Sequence, residues 1–232
     1  MRVTQLWRYP VKSMRGELLV STPFERGGIP FDRRFALLDE TPESTRRGKP
    51  ATATQFPAML GYGARVADDS VVVRLPDGAV IGVTEPMVAA RLTQDTGLRL
   101  TLIDAPDGTN HDEADVLVIN EASVRQFALE WGQPVDARRF RPNIVVGGDA
   151  AFEEEAWVGR RLRVGSTVLE VSSLCVRCSI TNVDPETLVS DSSFLKMIAQ
   201  LHRASFGVYC AVSEPGSAGV GDECALLPAE AD

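Results

Sequence analysis

The sequence predicts a mainly β protein with a few helices, rich in β-barrel structure. Three observations carry that expectation. Short β-favouring runs recur along the whole chain, turn residues punctuate them, and only three stretches carry helix signals. With 232 residues the chain is long enough for one large domain or two smaller ones sharing an interface.

The elements follow in order. Val3 to Tyr9 and Phe35 to Asp39 read as strands, each ended by turn or charged residues. Val71 to Leu75 and Ala79 to Val83 flank Pro76-Asp77-Gly78, a strong hairpin signal. Thr84 is expected to cap a helix with Pro86 in its first turn and Gly97 as its stop. Leu98 to Ile103 resumes as a strand. The polar, acidic stretch from Asp104 to Asp115 is the expected boundary, dividing the chain into 1–108 and 109–232. Beyond it Val116 to Ile119 is a strand, and a helix begins near Glu121. Its Val124, Phe127, Ala128 and Trp131 share one stripe, and Gly132 ends it. Strands are expected at Ile144–Val146, Arg161–Val164, Thr167–Val171, Phe206–Val212 and Glu223–Leu227, with a short helix over Phe194–Leu201.

Composition narrows the function. Hydrophobic content of 44% and charged content of 24% are ordinary for a globular protein. A formal charge of −8 argues against general nucleic-acid binding, which needs a cationic field. Arginines nevertheless cluster at Arg33-Arg34, Arg46-Arg47, Arg138-Arg139-Arg141 and Arg160-Arg161-Arg163, as solvated charges or as the lining of one anion pocket. The first nine residues lack the apolar core of a signal peptide, and no apolar run approaches the ~20 residues of a membrane span. Four cysteines in such a chain suggest reduced thiols in a cytoplasm.

Three runs concentrate chemistry. The first is Cys175-Val176-Arg177-Cys178, followed by Ser-Ile-Thr-Asn-Val-Asp184-Pro185. A neighbouring guanidinium favours a thiolate, which binds metals or attacks electrophiles. A four-ligand zinc site is not expected, because Cys210 and Cys224 stand alone and His111 and His202 are far apart. A buried structural cysteine with an incidental neighbour is an equal alternative. The second run, Tyr9 to Glu17, offers Lys12 and Ser13 at a loop tip, and Phe31 to Phe35 adds Arg33 and Arg34, of which one can face inward. The third, Phe140-Arg141-Pro142-Asn143, offers a bidentate cation and an amide at period-two spacing. Each alone is also compatible with an ordinary polar turn.

Taken in order, YPVKSMRGE, FDRRFALLD, FRPNIVVGG, FEEEAWVG, CVRCSITNVDPET and FGVYCAV with GVGDE resemble the MOSC family. The resemblance covers nearly the whole chain. It is greatest to two-part members in which an N-terminal β-barrel domain packs on a MOSC β-barrel domain, such as the amidoxime-reducing components and their bacterial relatives. It implies a molybdenum cofactor (Mo-molybdopterin) site with Cys178 as the metal ligand. It also implies cofactor contacts from Lys12, Ser13, Arg33, Arg141, Asn143 and Arg177, and an acidic group near the metal, Asp184, able to relay protons. A soft metal suits a thiolate, and cations suit the pterin phosphate. Cys175 is then a packing residue. At the family level the resemblance also carries pyridoxal phosphate binding.

The implied activity is reduction of a small N-oxygenated substrate by oxygen removal, with electrons from a separate ferredoxin- or cytochrome-type protein. No appended ferredoxin-like domain, and no nucleic-acid or membrane partner, is expected. The alternative is a sulfur or molybdenum-cofactor carrier that uses Cys178 without turnover. Departures from the family pattern bear on the substrate wall: Thr187 is followed by Leu188-Val189-Ser190 rather than glycine and a longer loop, and the insert before Phe206 is short. The N-terminal region also lacks the family's arginine near Thr54 to Pro57.

Overall fold

Fifteen strands and three α-helices form in the computed structural model, which describes residues 1–106, 109–111 and 113–228. The first half contains β1 (Arg2–Arg8), β2 (Glu17–Leu19), β3 (Ser21–Phe24), β4 (Phe35–Asp39), β5 (Gly63–Ala67), β6 (Ser70–Arg74), β7 (Val80–Gly82), α1 (Pro86–Thr96) and β8 (Leu100–Asp104). The second half contains β9 (Val116–Asn120), α2 (Glu121–Trp131), β10 (Ile144–Gly147), β11 (Arg161–Val164) and β12 (Thr167–Val176). It ends with α3 (Ser192–His202), β13 (Ser205–Glu214), β14 (Gly216–Gly219) and β15 (Cys224–Leu226). The mainly β class is as the sequence predicts, and β2, β3, β5 and β14 add to the strands read from it.

One eight-stranded sheet runs β15-β11-β12-β13-β9-β10-β1-β2. Strands β9 and β10 are parallel and joined through α2, whereas their other neighbours pair antiparallel. The sheet is not closed, but it curls until a single bridge links Arg2 to Glu223. Its concave side encloses Val3, Leu6, Val118, Ile144, Leu169 and Val208. All five residues of β9 are buried, since Leu117 and Ile119 face a second core beneath α2 and α3. That double burial explains an apolar run without alternation.

The second core is largely aromatic. Phe140 and Phe206 stack with centroids 3.9 Å apart, and Phe127 meets Phe194 edge-on at 5.2 Å. Each buried phenylalanine is worth about 1.5–3 kcal/mol of transfer free energy, with more from ring geometry. A third core gathers Leu37, Met59, Tyr62, Val73 and Leu92 from the smaller β4–β8 pair, the helical turn before β5, the β5-β6-β7 meander and α1. The Pro76-Asp77-Gly78 turn joins β6 to β7 as expected, with Gly78 at φ 90°. The α1 cap differs: Glu85, not Thr84, is the N-cap and offers no side-chain bond, while Gly97 closes the helix in the left-handed region.

Sequence halves and sheets do not coincide. β1 lies between β10 and β2, and β3 pairs with β14, so residues 2–24 sit among strands from the second half. The boundary segment includes 107, 108 and 112, which lie outside the described residues.

Candidate functional site

Where the second and third cores meet, loops from both halves enclose a cleft of about 390 Å³. Its lining includes Lys12, Ser13, Arg33, Arg141, Asn143, Arg177 and Cys178. Seven of the eight sequence-selected residues are therefore brought together, from segments up to 166 positions apart. Asp184 is outside this lining.

Cys178 follows β12 as the chain leaves the sheet, and its thiol is free and exposed. The loop beyond it is clamped by Arg139. That guanidinium donates to the carbonyls of Thr181 and Asn182 at 3.1 Å each and to Asp184 at 2.9 Å, while lying 4.6 Å from the Phe194 ring centre. Asp184 also accepts from the backbone N–H groups of Glu186 and Thr187. Burial pushes its carboxyl up, but these N–H donors and Arg139 outweigh it and hold the group below the usual carboxylate range. Its place is as a loop anchor that stays ionised.

Arg177 differs from the expected partner of Cys178. Cys175 and Arg177 are two residues apart at the strand end and share a face. Accordingly Arg177 donates to the Cys175 sulfur at 2.7 Å and to the Phe140 carbonyl at 2.8 Å. Cys175 is wholly buried in the aromatic core, and Arg177 is tethered to that core while lining the cleft.

The opposite wall is organised by Asp32, which no motif singled out. It is fully buried and takes hydrogen bonds from the Tyr9 N–H at 2.7 Å, from Asn143 Nδ2 at 3.1 Å and from Arg33. His111 Nε2 lies 3.4 Å away. Burial raises the Asp32 pKa, yet Arg33, His111 and the Tyr9 N–H together hold it below the usual carboxylate range. The Asn143 amide is committed in the same network, since Oδ1 accepts from the Leu117 N–H at 3.1 Å. It pins the wall in place while lining the cleft. Arg141 donates to the Met14 carbonyl at 2.7 Å, and Arg33 and Arg141 lie 5.0 and 4.3 Å from the centre of the Tyr9 ring. Lys12 donates to the Asn110 carbonyl at 2.9 Å.

Ser13, Arg33 and Arg141 share a further property. All three have positive φ (69°, 52° and 54°), where a side chain costs roughly 1 kcal/mol or more. The surrounding network holds them there, and such strain clusters at ligand sites. The Arg33-Arg34 pair diverges as expected, though through a left-handed turn ahead of β4 rather than by strand alternation: Arg33 lines the cleft, while Arg34 pairs with Asp104 at the surface. Arg46, Thr52 and Thr54 also line the cleft; of these the sequence had marked Arg46 only as a member of an arginine cluster that could line an anion pocket. Arg46 stands on the side where the departure near Thr54 had suggested a missing cation.

The donor set fits a bound anion with a soft metal. Five cations and one carboxylate, Glu113, line the cleft in a chain of net charge −8. The Nε atoms of Arg46 and Arg177 are buried without a hydrogen-bond partner among the described residues. No group of three or more His, Cys, Asp or Glu able to hold a metal occurs among the described residues, so Cys178 would be a metal's protein ligand alongside donors from a bound cofactor.

A curled β sheet presenting one exposed cysteine at a cation-lined cleft defines the class, a mainly β fold with a candidate ligand site where its two halves meet. The chain belongs to the MOSC family: the MOSC domain model matches residues 106–225 and the MOSC N-terminal beta barrel domain model matches residues 1–121. Among curated relatives, it is 25% identical to Mitochondrial amidoxime reducing component 2 of Bos taurus, over 95% of this chain and 81% of that one. It is 32% identical to Mitochondrial amidoxime-reducing component 1 of Mus musculus, over 50% of this chain and 37% of the relative's length. A 25% identical match to Molybdenum cofactor sulfurase of Drosophila yakuba spans 90% of this chain and 31% of the relative. The matched region is thus about a third of the length of the latter two. In fold, the chain is similar to the YuaD protein of Bacillus subtilis, with TM-score 0.54 at 16% identity over 96% and 93% of the two chains. Among the described residues no helix is long and apolar enough to cross a membrane.

Proposed function

We propose that the cleft binds the molybdenum cofactor through Cys178 and that the protein reduces small N-hydroxylated compounds by removing their oxygen. The observation that carries this is the exposed Cys178 thiol facing a cleft lined by Lys12, Arg33, Arg46, Arg141 and Arg177. When bound, the cofactor would supply two-electron redox chemistry and a metal position open to the substrate oxygen. The chain's own residues do the rest. Cys178 provides the soft anionic ligand. The guanidiniums and Lys12 attract the pterin phosphate, and the Ser13 hydroxyl can complete its hydrogen bonds. Asp32 and Asn143 fix Arg33, and Arg139 fixes the loop carrying Cys178. The reaction balances with two electrons from a separate donor protein and two protons, releasing the reduced nitrogen compound and water. Solvent at the exposed Cys178 edge can supply the protons, and Asp184, anchored by Arg139 and the loop N–H groups, lies outside the cleft lining. Four unpaired cysteines suit a reducing compartment, and we assign the protein to the cytoplasm on that ground.

Exposure of Cys178 also supports a second reading, a sulfur or cofactor carrier, in keeping with the relative named as a cofactor sulfurase. The discriminating assay is reduction of benzamidoxime by metal-loaded protein with a chemical electron donor. Turnover that disappears in Cys178→Ala supports the reductase. Bound metal with no turnover across several donors and substrates favours the carrier.

A further inference from the structure

The geometry points to a second ligand site in this molecule: a pocket for a small organic anion with an apolar body, adjoining the cysteine cleft but distinct from it. It has a volume of about 330 Å³ and shares only Arg141 with that cleft. This size is at the lower end of small-molecule sites. It is built by β1 and the turn to β2, by Leu60 with the β5-β6-β7 meander, by the turn carrying Arg138 and Arg141, and by the loop after Asp184.

The walls divide by chemistry. Trp7, Leu60, Val72, Val80 and Pro185 are apolar, while Arg15, Arg65, Arg74 and Arg138 join Arg141 as cations. Two carboxylates oppose them, and both are engaged. Glu17 accepts from Arg8 Nε and from the Val66 N–H at 2.9 Å each, and Glu186 accepts from Arg138 at 3.2 Å. The side chains of Arg65 and Arg74 are exposed and make no hydrogen bond or ion pair among the described residues. An excess of guanidinium in a chain of net charge −8 is a local field for an anion.

The floor adds unpaired donors. Tyr9 is 2% exposed, and its hydroxyl and Arg15 Nε are both buried with no hydrogen-bond partner among the described residues. Burial drives the Tyr9 pKa well upward despite Arg141 and Arg33, so the phenol keeps its proton and can donate. Unpaired buried donors are costly unless something accepts from them. Gly16 lets the floor exist, because a Cβ there would stand 2.2 Å from the Arg8 carbonyl and 2.5 Å from Tyr9 Cδ1. A carboxylate or phosphate head matches the guanidinium forks, and a flat or short apolar body matches Trp7 and the valines.

The site is independent of the cofactor proposal and is tested on the full chain without reference to activity. Titrate 15N-labelled protein with 2-naphthoate, with the neutral 2-naphthylmethanol and with inorganic phosphate. Follow the Trp7 indole N–H signal, assigned with Trp7→Phe, against those of Trp131 and Trp157. Naphthoate is expected to shift the Trp7 signal saturably, and both other probes to bind more weakly. An Arg65→Ala, Arg74→Ala double variant, altered only at exposed side chains, should weaken naphthoate about tenfold or more. Cys178→Ala should bind it as the wild type does. Absence of saturable binding, unchanged affinity in the double variant, phosphate binding as tightly as naphthoate, or a loss in Cys178→Ala would each overturn the assignment.

Discussion

Asp32 lies beneath the cleft with no exposed surface, and one carboxylate there sets where Arg33 and Asn143 stand. In the sequence it is an acid beside two arginines, and only the fold shows that it faces inward from a turn. The consequence is a pH-dependent stability. Because the folded pKa is held below the unfolded value of about 3.9, Asp32 stabilises fully above that value. The contribution is lost as pH falls through the folded pKa. Asp32→Asn is expected to cost on the order of 3 kcal/mol at pH 7, with the difference from wild type shrinking in acid. Urea unfolding at pH 7 and pH 3 checks this, and equal stabilities at pH 7 would refute it. Cys175 makes a second case at this scale. Its burial and the bond from Arg177 predict that Cys175→Ala loses about 1–2 kcal/mol while keeping any bound metal. The resemblance implied that Cys175 packs while Cys178 faces the site, and the structure buries the first and exposes the second, because strand alternation continues to Arg177 and breaks before Cys178.

Elements were legible where several local signals agree. α2 has an apolar stripe, a capping Asn120 that accepts from the Ala122 N–H, and a left-handed Gly132. Asn120 does more than cap, because its amide also bonds the Ala150 carbonyl, Glu153 and the Gly148 N–H. Asn120→Ala is therefore expected to cost about 2 kcal/mol, the upper end for a cap, measured by thermal or urea unfolding. A loss of a few tenths would show that those further bonds contribute little. Elements that were not legible are short and lack such signals. β3 contains Pro23 and pairs with glycine-rich β14 some 190 residues later, so only a long-range edge pairing makes either a strand. The left-handed Ser13, Arg33 and Arg141 are equally silent in sequence, since no glycine or asparagine marks the turns.

At the scale of the molecule, the family order of motifs conveys the mainly β class but not how the halves interlock. β1 is built into the larger sheet one strand from its edge, hydrogen-bonded to β10 on one side and to the edge strand β2 on the other. A fragment starting at residue 109 would expose the concave core that Val3 and Leu6 help to close. It is expected to lack a cooperative unfolding transition by calorimetry, and a sharp transition would show that the second half folds alone. That same interlocking brings Lys12 and Arg33 to Arg141 and Cys178, so the cleft exists only in the intact chain. The most direct test of the central claim is metal content by mass spectrometry, on protein purified from a host that makes molybdenum cofactor and from one that cannot. Stoichiometric molybdenum is expected only from the first host, and is expected to vanish in Cys178→Ala. No molybdenum or tungsten from either host, or undiminished metal in Cys178→Ala, would contradict the assignment.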